Sequence, residues 1–521
     1  MRRLKNTVGV HSYDPKTFLR IVGERSRLAP GGQPVLQARY LANYLTELGA
    51  RTLLVESHYV DRHYVEEYSL YYSKCLSPPP AYCSRLLIFG IEVDEAQFDN
   101  WLTPTQLASE GPAPEDATPA LGDHFLGYVV IRPLPEVPIG RTVLSQWEAK
   151  PGRKILSTVR YFAHPFGTRL EVKGLAFQQQ DAGVAACATT AAWTALQRVC
   201  RNEGSRPPTP SEVTQAAVRF SISEGRAFPQ TGGLTTGQLC EAVRSFGHSP
   251  LVLKCPQLGL EKPQPTEPEQ VTYFHFMVRA YVRSGIPVIL TVKNSRGEGH
   301  AVTIVGDGAE EAWERAPISK FDKTSLRVLN LSSTKLYVHD DRLGPYARSL
   351  LAWNGEHLQL RIDRRSVLGP GQSGGGETEE RVIHAIVPLY PKLRLPAEGL
   401  LRAFAGLYGS LRSAFEGATA ADLGMEVRFD RSGSYLADVA KEVSSPSRFA
   451  AFRKSVVLSR YVGVVRFLYQ GTAVVDTIWD GTDTVRGARP GTGLLLAFVT
   501  LEEQFKRQTS SLAVSEGVPW C

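Results

Sequence analysis

The sequence is poor in the features that mark several large protein classes. No window approaches the 18 consecutive apolar residues of a membrane-spanning helix. The best run, Leu494 to Val499, has only the length of a strand. The early arginines in MRRLKNTVGVHSYD are followed by no apolar stretch, so no secretory leader is expected. Basic residues are not massed: no Lys/Arg run of five occurs, and the net charge of +7 is spread over 521 residues. A nucleic-acid partner is therefore not expected. The seven cysteines form an odd set, and no CxxC pair is found among them. Neither a disulfide framework nor a zinc ribbon is indicated, and the simplest reading is free thiols in a reducing cytoplasm. A phosphate-binding glycine loop is also missing from the first part of the chain. Disorder, finally, does not fit 43% hydrophobic and 21% charged residues.

At roughly 150 residues per domain the chain is long enough for two to four units. We divide it into 1–168, 169–390 and 391–521, with the Pro-rich turn YPKLRLP at Tyr390–Pro396 as the later boundary. Two stretches read as loops: Ala108–Asp123, and the Gly-rich segment Gly369–Glu380 between two strands. The first region alternates helix and strand signals and reads as α/β. Leu36, Tyr40, Leu41, Tyr44, Leu45 and Leu48 keep helical spacing before Gly49, and Thr52–Val55 follows as a strand. A Tyr-rich helix is predicted over Val60–Cys75, with its rings in the core, and strands over Arg85–Val93 and Gly127–Arg132.

In the middle region helices come first. One spans Cys187–Cys200, small or apolar on most faces and so buried nearly all round. The next starts at Thr209 as N-cap with Pro210 at the first helical position. Two more are predicted from Thr235–Thr236 to Phe246 and over Glu269–Ser284. The period then switches to strands at Ile286–Val292, His300–Gly306 and Lys335–Asp340, an α+β order. The last region opens with an amphipathic helix through Leu400, Phe404, Leu407, Leu411 and Phe415. Strands follow at Arg460–Tyr469, Thr472–Trp479 and Leu494–Thr500, a further α+β unit.

Candidate chemistry lies in the middle region. Cys187 opens a helix just after a polar, Gly-containing loop, where the helix dipole favours a thiolate over the inert form of a thiol with pKa about 8.5. His300 opens an apolar strand, a rigid place from which an imidazole can take a thiol proton. Asp340 and Asp341 end a strand, where one of them can fix the imidazole's tautomer. Asp340 is preferred because it ends the apolar run directly, and His339 alternates to the other face. Upstream, QQQD at 178–181 offers a side-chain amide for an oxyanion, with Gln180 nearest to the cysteine.

The order Gln, Cys, His, Asp, with Cys187 opening a helix and G-H-A-V-x-I-V-G-x-G opening a strand, resembles the papain-like cysteine peptidases. It is most similar to the bacterial C39-like (bacteriocin-processing) group, which uses Asp as the third residue. GIPVILTV ahead of His300 and Gly344 four residues after Asp340 fit the same pattern. The resemblance covers about Arg169 to Pro388. It implies an α+β papain-like core flanked by accessory regions, with Cys187 as nucleophile, His300 as base, Asp340 as orienting acid and Gln180 as oxyanion donor. No metal or organic cofactor is implied. The substrate would be a peptide or protein, and the terminal regions would select it or a protein partner. There are two alternatives: acyl transfer to an amine with the same triad order, as in transglutaminase-like enzymes, and a non-catalytic interaction module with the papain-like part as scaffold and the ends as binding surfaces.

Other polar groups read as structural. His58, Asp61 and His63 look like a solvated helix start, since the two histidines are five residues apart and do not share a helix face. VKNSRG (Val292–Gly297) precedes His300 and reads as a hairpin loop, and WDGTDT (Trp479–Thr484) as a turn. Cys200, Cys240 and Cys255 read as buried structural thiols.

Overall fold

The structure, a computed structural model, describes residues 8–101, 121–147, 153–181, 187–219, 233–255, 267–308, 315–318, 326–329, 335–362, 378–414, 423–443, 445–483 and 494–521. The architecture is α+β, with helices packed on antiparallel sheets. None of the described helices is long and apolar enough to cross a membrane.

The first region departs from the α/β expectation. Its five strands (Val8–Ser12, Thr52–Tyr59, Cys83–Phe89, Phe125–Ile131 and Ile139–Leu144) lie in sequence order, and every neighbouring pair is antiparallel. The connections explain this. Two helices, Pro15–Ser26 and Leu36–Glu47, join the first two strands, in place of the single-helix crossover that a parallel pair uses. After the second strand the helix Arg62–Leu70 is followed by a short turn at Tyr72–Lys74 and an extended SPPPAY return. Alternating helix and strand signals do not by themselves set strand direction, because a parallel pair needs a single full crossover. Of the first predicted loop, only Leu121–Asp123 is described, in a short helical turn.

The middle region keeps the predicted order. The helix Cys187–Glu203 is buried along most of its length. The helix Pro210–Val218 begins with a full capping box, in which Thr209 accepts from the Glu212 amide and the Glu212 carboxylate accepts from the Thr209 amide. Thr235 and Gln238 repeat the device at the helix Thr236–Ser245. The helix Glu267–Arg283 leads into the strands.

Those strands close on themselves. Val288–Lys293, Gly299–Gly308, Lys335–Asp340, Gly344–Trp353, Leu358–Ile362 and Thr378–Leu389 pair in turn, and the last pairs back to the first. The ring is antiparallel throughout, and the strand Ser249–Lys254 adds to its edge. The first turn of the ring is the VKNSRG hairpin, closed by the Asn294 side chain accepting from the Arg296 and Glu298 amides. The Gly-rich segment before Thr378 lies outside the described residues, while Thr378–Glu380 belong to a strand rather than a loop.

In the last region the helix Ala397–Ala414 packs with a four-stranded antiparallel sheet of Leu423–Arg431, Tyr461–Tyr469, Thr472–Asp480 and Leu495–Thr500. The predicted turn after Trp479 is present: the Asp480 carboxylate accepts from the Thr482 amide and hydroxyl. Tyr390–Pro396 is no loose tether. Tyr390, Leu393 and Leu395 are buried, and the Arg394 and Leu395 amides both donate to the Gly481 carbonyl.

Candidate active site

The strand register brings His300 and Asp340 together. Thr303 pairs with His339 and Ile304 with Val338. Extending that pairing sets Val302 opposite Asp340, so His300 is its diagonal neighbour on the same face, within reach of a long side chain. The ladder between Lys335–Asp340 and Gly344–Trp353 shifts register between Val338 and Asp340, a bulge that re-aims the strand's last side chains. His339 turns away and packs edge-on against Tyr346 at 4.6 Å. Asp340 points at the histidine.

The His300 Nε2 lies 2.9 Å from Asp340 Oδ1 and 3.7 Å from Asp341 Oδ1, so the hydrogen bond goes to Asp340. Cys187 is among the groups that raise the His300 imidazole. With Nε2 committed to the carboxylate, Nδ1 is the ring nitrogen left for the thiol. Cys187 is half-buried at the first residue of its helix, whereas His300 and both aspartates are buried. The Thr303 hydroxyl donates to the Ala191 carbonyl at 2.9 Å and ties the histidine's strand to the cysteine's helix.

Charge is distributed unevenly among these groups. Burial opposes a charge on the imidazole. Asp340's charge and hydrogen bond, with Asp341 and Cys187, outweigh it and hold His300 well above the usual histidine range. Burial also pushes Asp340 up, but His300 and then Arg342 hold it well below the usual carboxylate range. Asp341 goes the other way: burial, aided by the Asp340 charge and opposed by His300, pushes it up to about 7. One aspartate is thus an anion and its neighbour titrates near neutrality. Asp340 is also an Asx-turn residue, accepting from the Arg342 amide at 3.0 Å, and Arg342 makes a two-pronged pair with buried Glu380 at 2.8 and 2.9 Å.

The donor atoms of His300, Asp340 and Asp341 lie within 4.8 Å of one another, and one oxygen on each aspartate has no hydrogen-bond partner among the described residues. This set has the composition of a cation site. Its imidazole nitrogen, however, is already occupied by Asp340, and the Arg342 Nε stands 3.7 Å from the same oxygen. The local field is therefore already balanced by positive groups.

The three glutamines divide sharply. Gln178 is buried and donates to Glu67 Oε1 at 3.0 Å. Gln179 donates to the Glu136 carbonyl and accepts from the Ile139 amide. Both side chains are spent on the frame. Gln180 is half-buried and makes no side-chain hydrogen bond among the described residues. Residues 182–186, between it and Cys187, lie outside the described set.

The supposedly solvated helix start is a correction. Only His58 is exposed. Asp61 caps the helix Arg62–Leu70, pairs with Arg141 at 2.8 Å and is buried. His63 is also buried, edge-on to Trp193 at 5.4 Å, and burial lowers it to about 4. On the same helix Glu67 is fully buried, a position not singled out from the sequence. Its signal was present, because His63, Tyr64 and Glu67 fall at the spacing of one helix face. Cys200, Cys240 and Cys255 are buried, as expected.

A scan against family models finds none that matches the chain, and a search of curated proteins also returns no match. The functional reading therefore stands on the residues themselves.

Proposed function

We propose that the chain is a papain-like cysteine hydrolase, most directly a peptidase, acting on a peptide or protein in a reducing compartment such as the cytoplasm. One observation carries this reading: a half-buried thiol at a helix start that interacts with a histidine whose Nε2 is held by a buried, ionised aspartate. The helical half followed by a closed antiparallel ring supports a papain-like core. All seven cysteines are unpaired, in keeping with the compartment.

In this reading Asp340 accepts a hydrogen bond from the Nε2–H of His300 and so leaves Nδ1 free to take the Cys187 proton. The thiolate attacks the scissile carbonyl, a carbon–sulfur bond forms, and the carbonyl electron pair moves onto oxygen. Gln180, the one glutamine of its run not spent on the frame, donates to that oxygen together with backbone amide groups. Collapse of the intermediate expels the amine, which takes its proton from His300. Water, deprotonated by the same imidazole, then releases the acid from the thioester. An amine in place of that water gives acyl transfer by the same steps. Asp341, near neutrality and 3.7 Å from the ring, is left out of the chain of proton transfers.

The test uses the thiol before any substrate is known. Iodoacetamide at neutral pH should modify Cys187 ahead of the other six thiols. His300→Ala should slow this by about 10²-fold or more, the scale of a lost general base. Asp340→Ala should slow it more than Asp340→Asn, whose amide oxygen still accepts the imidazole N–H, while Asp341→Asn should leave it within about threefold. Equal labelling of Cys187 and Cys75, or indifference to His300→Ala, would remove the reading.

A further inference from the structure

We infer that Glu67 and Arg132, both contributed by the N-terminal region, are positioning residues for the segment that carries Gln180. This rests on the proposed hydrolase reading and extends the site beyond the papain-like part of the chain.

The segment Phe177–Gln179 is laid as an added strand along Ile139–Leu144. Phe177 and Thr142 exchange backbone hydrogen bonds at 2.8 and 2.9 Å, and the Gln179 amide donates to the Ile139 carbonyl at 3.0 Å. Arg132 then clamps it. Its Nη2 donates to the Gln179 carbonyl at 3.1 Å, its Nε donates to the Val137 carbonyl at 2.9 Å, and its Nη1 lies 3.5 Å from Glu67 Oε2. Glu67 uses its other oxygen to accept from the Gln178 side chain. Glu67 and Arg132 are 0% and 1% exposed.

A buried pair of this kind is a poor way to gain stability. Desolvating both charges offsets most of their attraction, and apolar residues of similar volume would serve a core as well or better. What the pair supplies is direction. The arginine fork fixes one carbonyl, the carboxylate fixes one amide, and both partners lie within two residues of Gln180. A side-chain oxyanion donor must be held to within a few tenths of an ångström, and here the backbone before it is pinned on both sides. The N-terminal region therefore belongs to the frame of the site and is more than a selector placed beside it.

The experiment uses the full chain and two probes. Iodoacetamide reads the Cys187–His300 pair and needs no oxyanion donor. N-acetylglycinal reads the donor as well: the thiol adds across its C=O, a carbon–sulfur bond forms, and the electron pair that moves to oxygen must be stabilised. Glu67→Leu and Arg132→Met should each weaken the aldehyde adduct by about tenfold, while alkylation stays within about twofold of wild type, because only the aldehyde builds an oxyanion. Hydrogen exchange at the amides of residues 177–180 should speed up in both variants. Glu67→Gln, whose amide oxygen can still accept from Gln178, should keep the adduct within about threefold. An aldehyde affinity unchanged in Glu67→Leu, or unchanged exchange at 177–180, would overturn the inference. So would a parallel fall of both probes that Glu67→Gln does not rescue, since that marks a general loss of fold. Wild type that takes iodoacetamide at Cys187 but forms no hemithioacetal would instead strike the hydrolase reading itself.

Discussion

The two terminal regions hold the same helix, Cys187–Glu203, through different sets of contacts. The N-terminal region works mainly near the thiol, with two further contacts toward the far end, where Arg198 donates to the Thr158 carbonyl at 2.8 Å and Arg201 lies over the Tyr161 ring at 4.5 Å. It supplies His63 against Trp193, the Glu67–Arg132 clamp on Gln178 and Gln179, and two side chains on the aspartate turn: Gln37, donating to the Asp341 carbonyl at 3.0 Å, and Tyr40, donating to the Pro345 carbonyl at 2.7 Å. The C-terminal region works at the far end. Arg431 donates to the Asn202 carbonyl and the Glu203 carboxylate, Arg460 and Tyr461 also reach Glu203, and Tyr461 stacks on Tyr390 at 5.0 Å. Asn202 is 15 residues from Cys187, a span of about 23 Å at 1.5 Å per residue. Deeper in, Arg283 pairs with Glu426 at 2.6 Å, and the Phe429 amide donates to Ser284 Oγ at 2.7 Å. One region touches loops that bear the reactive groups. The other touches a helix end and a core helix. The first should therefore tune reactivity and the second only stability.

Gly344 gives the largest contrast. A β-carbon there would stand 2.0 Å from Cδ1 of Tyr40, and that ring is itself buried. Gly344 pairs across the turn with Asp340, so relief of the clash has to move the group that holds His300. Gly344→Ala should cost about 2–3 kcal/mol in urea unfolding, as overpacking does, and should slow alkylation of Cys187 by about tenfold or more. Adding Tyr40→Ala should recover much of the rate. A stable, fully reactive Gly344→Ala protein would show that the N-terminal region sits beside the turn without setting it.

Tyr40→Phe makes the same point more gently. It keeps the ring and removes only the hydrogen bond to the Pro345 carbonyl. A buried carbonyl left unpaired costs about 1–2 kcal/mol, and the loosened turn should slow alkylation by about two- to fivefold. Loss of stability with no change in rate would place Tyr40 with the C-terminal contacts.

Much of this arrangement can be read from local sequence. Thr209-Pro210 and Thr235 announce helix starts because capping is a matter of three or four adjacent residues. Lys335–Asp340 reads as a strand from its alternation, and the register that sets His300 beside Asp340 follows once two strands pair. What local sequence does not carry is partnership at a distance. Gln178 and Glu67 are 111 residues apart, and nothing near either says that the amide meets the carboxylate. The same holds for Gln37 and Asp341, 304 residues apart. The antiparallel course of the first sheet is hidden for a related reason: it depends on how two helices and a proline-rich return fold back, which periodicity does not encode. Asp61 and His63 look solvent-facing in a polar string, but in the fold Asp61 meets Arg141 and His63 meets Trp193, partners distant in sequence, and both are buried.

The smallest effect on reactivity is expected at Glu203, where the C-terminal contacts converge. Burial pushes its carboxyl up, but the Tyr461 hydroxyl, then Arg431 and Arg460, outweigh this and hold it below the usual glutamate range. A carboxylate depressed in the folded state adds stability above its unfolded pKa, about 4.3, and loses that contribution as pH falls through the lower folded value. Glu203→Gln should thus be less stable than wild type by about 1 kcal/mol at pH 7, the scale of a partly exposed ion pair with added hydrogen bonds. The gap should narrow as unfolding is followed down from pH 5 to pH 3. Alkylation of Cys187 should stay within about 1.5-fold at neutral pH, since the change lies at the other end of a rigid helix whose first turn is held by different partners. A larger loss of rate, with the fold intact, would mean that the helix carries strain from one end to the other, and the division between the two terminal regions would no longer stand.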